Sequence, residues 1–129
     1  MHYVDLVALL AIAQFIFFGV QVGQARGRYG VKAPAVGGHE LFERAYRVQM
    51  NTLELLVALL PLLYIAARYW PDAYVAVVGA VYLVGRLLYW RSYTRAPASR
   101  TLGFAISMAP IMALLLASLG ALLLRAGLQ

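Results

Sequence analysis

A chain of 129 residues with 64% hydrophobic residues and only 12% charged ones is one compact unit, but not an ordinary soluble domain, in which about 25% of residues are charged. Its net charge of +6 comes from cations that flank apolar runs, which is how topology determinants are placed and not how a nucleic-acid surface is built, so no nucleic-acid partner is expected. Without cysteine there is no disulfide framework, no thiolate nucleophile and no Cys-type metal site, so thiol chemistry would need a thiol brought by a ligand.

The first uncharged run, Leu6 to Ala25, is long enough to cross a hydrocarbon core, which takes about 20 helical residues. A helix is expected over about 2–24. It lacks the basic leader of a secretory signal peptide, so it reads as a retained span. Gln21 and Gln24 near its end either line a cleft or are solvated at the interface. The next stretch, ARGRYGVKAPAVGGHE, is rich in Gly and Pro and reads as an irregular connection. His2 and His39 are too few and too far apart for a metal site, and no metal is expected.

The second helix is expected over 40–69, with Pro61 inside it as a bend. Its strictly uncharged part, Leu55 to Ala67, is only 13 residues, so polar turns must extend it. Those turns are ERAYRVQMNTLE, Glu43 to Glu54. In a helix, Arg47, Asn51 and Glu54 stand at i, i+4 and i+7 and line one face. A cation, an amide and an anion in that order suit a small zwitterionic ligand carrying several carboxylates and an amino group. The alternative is a juxtamembrane helix whose charges pair with each other and with lipid headgroups.

The third helix, expected over 72–93, also has a 13-residue uncharged part, Ala73 to Gly85, extended by GRLLYWRSY. The WPDA turn between these helices marks the other end of the bundle, so both polar extensions fall in one leaflet. Tyr82, Arg86, Tyr89 and Tyr93 form a single stripe that is either protein-facing or an aromatic belt. If Arg86 is buried, it needs a partner, for which Glu54 is the nearest suggestion. The fourth helix is expected over 99–126, opening with Arg100 against the helix dipole. That position suits an anion site, or a snorkelling topology marker. Pro110 and the small residues Gly103, Ala105, Ala109 and Ala113 allow it to bend and pack closely.

The residues therefore predict an all-α, integral membrane four-helix bundle forming a single domain over 1–129, surrounded by membrane lipid. Arg26, Arg28, Lys32, Arg44, Arg47, Arg91, Arg95 and Arg100 lie in or beside the first and third connections, against Arg68 and Arg125 on the other side. By the positive-inside bias those two connections face the cytoplasm and both termini face away from it. The Ala, Leu and Arg bias suggests a bacterium with GC-rich coding, and a bacterial inner membrane is the expected location.

FERAYRVQMNTLE, then VYLVGRLLYWRSY, then Arg100 resembles the MAPEG family, the membrane-associated proteins in eicosanoid and glutathione metabolism. The resemblance covers most of the chain from Arg26 onward. It implies a homotrimer holding glutathione, as co-substrate, in the cytoplasmic half of each subunit interface. It also implies that Arg47, Asn51, Glu54, Tyr89 and Tyr93 bind glutathione, that Arg100 stabilises its thiolate, and that Arg26 and Gln49 reach the ligand from the adjacent subunit. Arg86 falls at a motif position whose implied role is mainly ion pairing. Leu55 stands where the eicosanoid synthases carry a tyrosine, so NTLE resembles the microsomal and bacterial transferase branch. The implied function is glutathione conjugation of hydrophobic electrophiles, or reduction of lipid hydroperoxides. The electrophile is expected to arrive from the bilayer between helices one and four. A non-catalytic lipid-binding or scaffold member of the family is the competing reading.

Overall fold

The computed structural model describes residues 2–128, and among these all regular structure is helical. Four helices are each long and apolar enough to cross a membrane: α1 (Tyr3–Tyr29), α2 (Glu40–Ala66), α3 (Asp72–Arg95) and α4 (Thr101–Leu128). A single 3-10 turn, Pro97–Ser99, joins the last two.

Helix α1 runs five residues beyond Gln24 because nothing in ARGRY stops it. Gly30 does: it adopts φ 70°, a left-handed conformation that costs glycine nothing, and its N–H donates to the Arg26 carbonyl at 2.9 Å. Arg26 and Arg28 are thus helical and not part of the loop. Helix α2 starts where His39 Nδ1 accepts from the Leu41 N–H at 3.1 Å, with Glu40 and Glu43 complementing the dipole in the first turn. It continues through Pro61 and stops at Ala66; residues 67–69, expected to be helical, form a turn instead.

Helices α2 and α3 are central. Helix α1 packs on both, α4 packs on both, and α1 and α4 hardly meet. The main core joins Val7 and Ala11 of α1, Leu55, Leu59 and Leu63 of α2, Val75 and Tyr82 of α3, and Ile111 and Leu114 of α4. Large apolar side chains such as Leu9, Val57 and Leu124 stay outside. Such an exterior suits a bilayer, which makes the protein an integral membrane protein.

Where burial of apolar surface drives little, close backbone approach matters more. A Cβ on Gly85 would come within 2.5 Å of the Ser107 nitrogen, and one on Gly103 within 2.4 Å of the Tyr89 nitrogen. The two glycines let α3 and α4 cross backbone to backbone. Of the small residues singled out on α4, only Gly103 does this; Ala105, Ala109 and Ala113 are exposed.

Candidate functional site

The antiparallel order brings the end of α1, the start of α2, the end of α3 and the start of α4 to one end of the bundle. Gly103 then places Arg100, three residues earlier, beside the last turns of α3. Between α2, α3 and α4 lies an open cavity of about 390 Å³ lined by Arg47, Asn51, Tyr89, Tyr93, Arg100, Thr101 and Phe104. Five of the residues singled out from the sequence therefore share one space. Thr101 and Phe104 were not among them, although both follow from Arg100 standing immediately before the first turn of α4, where the Phe104 N–H donates to its carbonyl at 3.0 Å.

Each wall has a local cause. Tyr89 and Tyr93, one turn apart, stack with ring centroids 5.5 Å apart and planes 12° from parallel. Tyr89 is buried and Tyr93 partly so. Arg47 pairs with Glu54 across two turns of α2 at 3.4 Å, both half-exposed. Such a pair is weakly held, so either partner can be diverted to a ligand. Glu54 borders the cavity through Arg47 without lining it.

Arg86 departs from expectation. It is fully buried, which supports the protein-facing stripe, but no carboxylate of the described residues pairs with it. Glu54 is engaged by Arg47 instead. The guanidinium donates to Asn51 Oδ1 at 2.8 Å, Thr52 Oγ1 at 3.2 Å and Ser107 Oγ at 2.9 Å. It also lies 4.4 Å from the Tyr89 ring centroid and 5.9 Å from that of Tyr82. Neutral dipoles and aromatic faces thus replace the anticipated ion pair. Ser107 Oγ in turn donates to the Gly103 carbonyl at 2.7 Å, and Thr52 Oγ1 to the Val48 carbonyl at 2.7 Å.

Two further residues lie away from this cavity within the chain. Arg26 donates to the Ala35 carbonyl at 2.7 Å and stacks 4.8 Å from the Phe42 ring, pinning the first connection. Gln49 packs its amide on α1 at Gly19, where a Cβ would meet Nε2 at 2.8 Å. Arg44, another cation of this end, donates to the Thr94 and Arg95 carbonyls, both at 3.1 Å, and pairs with Glu40. It neutralises the negative end of α3. A second, larger opening of about 660 Å³ at the same end includes Gln21, Gln24, Arg28, Trp90 and Thr94 in its walls, so the two glutamines of α1 do line a cleft. Among the described residues no cluster of His, Asp and Glu could hold a metal.

The cavity thus bears two guanidiniums and two tyrosines, beside a loosely paired carboxylate. A family model described as the MAPEG family matches residues 4–120. An uncharacterized protein of Synechocystis sp. is 42% identical over 88% of this chain and 83% of its own length. Microsomal glutathione S-transferase 2 of Homo sapiens is 40% identical over 84% of this chain and 74% of its own, and leukotriene C4 synthase of Cavia porcellus is 36% identical over 90% and 78%. The protein belongs to the MAPEG family.

Proposed function

We propose that this protein is a membrane-bound glutathione transferase, with capacity for glutathione-dependent reduction of lipid hydroperoxides. The observation that carries the reading is the convergence of Arg47, Asn51, Tyr89, Tyr93 and Arg100 on one cavity at the polar end of the bundle. The similarity to glutathione S-transferases over most of the chain supports it.

The chemistry needs a thiolate. A free cysteine-type thiol ionises near pH 8.5, so about a few per cent is nucleophilic at neutral pH. An arginine within about 4 to 6 Å lowers a thiol pKa by roughly one to three units. Arg100, exposed at the cavity rim, supplies that charge. Arg47 and the tyrosines hold the carboxylates and backbone of the tripeptide, and Glu54 takes its amino group when Arg47 turns to the ligand. The thiolate sulfur then attacks an electrophilic carbon and displaces its leaving group. With a hydroperoxide it attacks the terminal peroxide oxygen instead, the O–O bond breaks to release the alcohol, and a second glutathione displaces water from the resulting sulfenic acid to form the disulfide.

The working unit is a homotrimer in a bacterial inner membrane, with the first and third connections cytoplasmic. Arg26 and Gln49, which lie off the cavity of their own chain, reach the cavity of a neighbour. The electrophile enters from the bilayer between α1 of one subunit and α4 of the next. Assaying detergent-solubilised protein with glutathione and 1-chloro-2,4-dinitrobenzene, and separately with a lipid hydroperoxide, tests the reading. Turnover of either substrate is expected. Turnover of neither, with no glutathione binding by calorimetry, would instead identify a lipid-binding or scaffold member of the family.

A further inference from the structure

Among the described residues Arg86 is the largest fully buried side chain, and it is a cation with no anion paired to it. Its contacts have a direction. A guanidinium has five donors and no acceptor, so the atom of Asn51 that faces it at 2.8 Å must be the carbonyl oxygen; turning the amide over would set N–H against N–H. The orientation of Asn51 is therefore decided by chemistry. Its Nδ2 makes no hydrogen bond to any described residue and is not sealed from the surroundings, while Asn51 itself lines the 390 Å³ cavity.

We infer that Arg86 is a positioning residue that fixes Asn51 as a hydrogen-bond donor to the ligand, and that it does so from a fork anchored on α2 and α4 together. Its Nε holds Ser107 of α4 and its Nη1 holds Asn51 and Thr52 of α2. Ser107 is tied to the carbonyl of Gly103, one turn beyond Arg100. One buried side chain thereby sets the donor of α2 in register with the helix start that carries Arg100. With Arg47 and Arg100 also donor-only, three of the cavity's polar groups offer hydrogen-bond donors and no acceptor toward the ligand. The portion of ligand lying between them must be rich in carboxylate or carbonyl oxygen. An arginine suits this task better than an acid or an amide, because neither of those can present donors alone at the depth of a membrane helix.

The inference rests on the glutathione reading, and the test separates the two. Glutathione affinity by calorimetry and thermal stability in detergent are measured for the full-length protein and three variants. Arg86→Lys remains a pure donor and keeps Asn51 oriented; Arg86→Gln offers both donor and acceptor and frees the amide to turn. Both lose the fork, so their losses of stability should be similar. Lys is expected to retain affinity within about threefold, and Gln to lose about tenfold or more. Asn51→Asp, which preserves the contact to Arg86 but removes the NH2, should lose affinity comparably while its stability stays at or above that of the parent. Equal affinity losses in Lys and Gln that track stability would make Arg86 merely structural and overturn the inference, as would parental affinity in Asn51→Asp. If neither Arg86 variant folds, Ser107→Ala, which removes the α4 anchor of the fork and leaves Asn51 in place, replaces them: affinity lost beyond any loss of stability supports the inference, and parental affinity overturns it. A parent protein that binds no glutathione removes both the inference and the functional reading.

Discussion

At the end of the bundle where α1 begins, the carboxylates hold helices together. Asp72, at the start of α3, accepts from the Tyr3 and Val4 N–H groups at 2.7 and 3.3 Å and so caps α1 from a neighbouring helix. Asp5 accepts from the Tyr64 hydroxyl at 2.9 Å, tying α1 to α2. At the other end Arg47 and Arg100 face an open cavity, and Arg47 has only a half-exposed partner. Both ends carry charge at the edge of a membrane. What distinguishes these two carboxylates from the cavity's two cations is whether the charge has a fixed partner within the chain. Where it has one, removing it should cost stability; where it has none, removing it should cost function.

The sharpest way to break this contrast is Arg100→Ala. Turnover with 1-chloro-2,4-dinitrobenzene at neutral pH should fall about 25-fold, as the ionised fraction drops from about three quarters to about 3 per cent when a thiol pKa rises from about 6.5 to about 8.5, while glutathione affinity falls far less. The sign follows from the charge: a guanidinium depresses the thiol pKa, so its loss moves the rise of the pH–rate profile upward, toward the ordinary value near 8.5. Arg47→Ala, which removes a carboxylate partner and not the thiol's, should show the opposite split, with a raised KM and a smaller change in kcat. Next is Gly103→Val. Its added side chain would strike the Tyr89 backbone, costing about 1 to 3 kcal/mol and moving Arg100 off the cavity, so stability and turnover should fall together. Asp72→Ala should lower stability by about 1 kcal/mol through the lost cap and leave glutathione affinity unchanged. Tyr64→Phe should lower the melting temperature least of all, again without touching affinity. A loss of glutathione affinity in either of these last two would erase the distinction between the ends.

Much of this was legible in the residues. Helical periodicity put Arg47, Asn51 and Glu54 on one face and Tyr82, Arg86, Tyr89 and Tyr93 on another, and a shared leaflet followed from the short WPDA turn. Three things were not legible. The end of α1 was set too early, because nothing before Gly30 breaks the helix and a basic tail reads as loop. Electrostatics favours a carboxylate partner for Arg86, whereas the chain gives its Nε and Nη1 the oxygens of Asn51, Thr52 and Ser107, residues whose spacing carries no charge signal, and leaves Nη2 without a hydrogen bond to any described residue. The crossing of α3 and α4 at Gly85 and Gly103 depends on relative helix placement, which no single periodic pattern reports.

The ultraviolet absorbance of bound thiolate, followed as glutathione is titrated at neutral pH into the parent protein and into Arg100→Ala, bears most directly on the role given to the cavity. The account predicts a thiolate signal that saturates with binding in the parent and is nearly absent in the variant, although calorimetry still detects binding there. Equal thiolate signals in the two proteins, or no binding of glutathione to the parent, would contradict it.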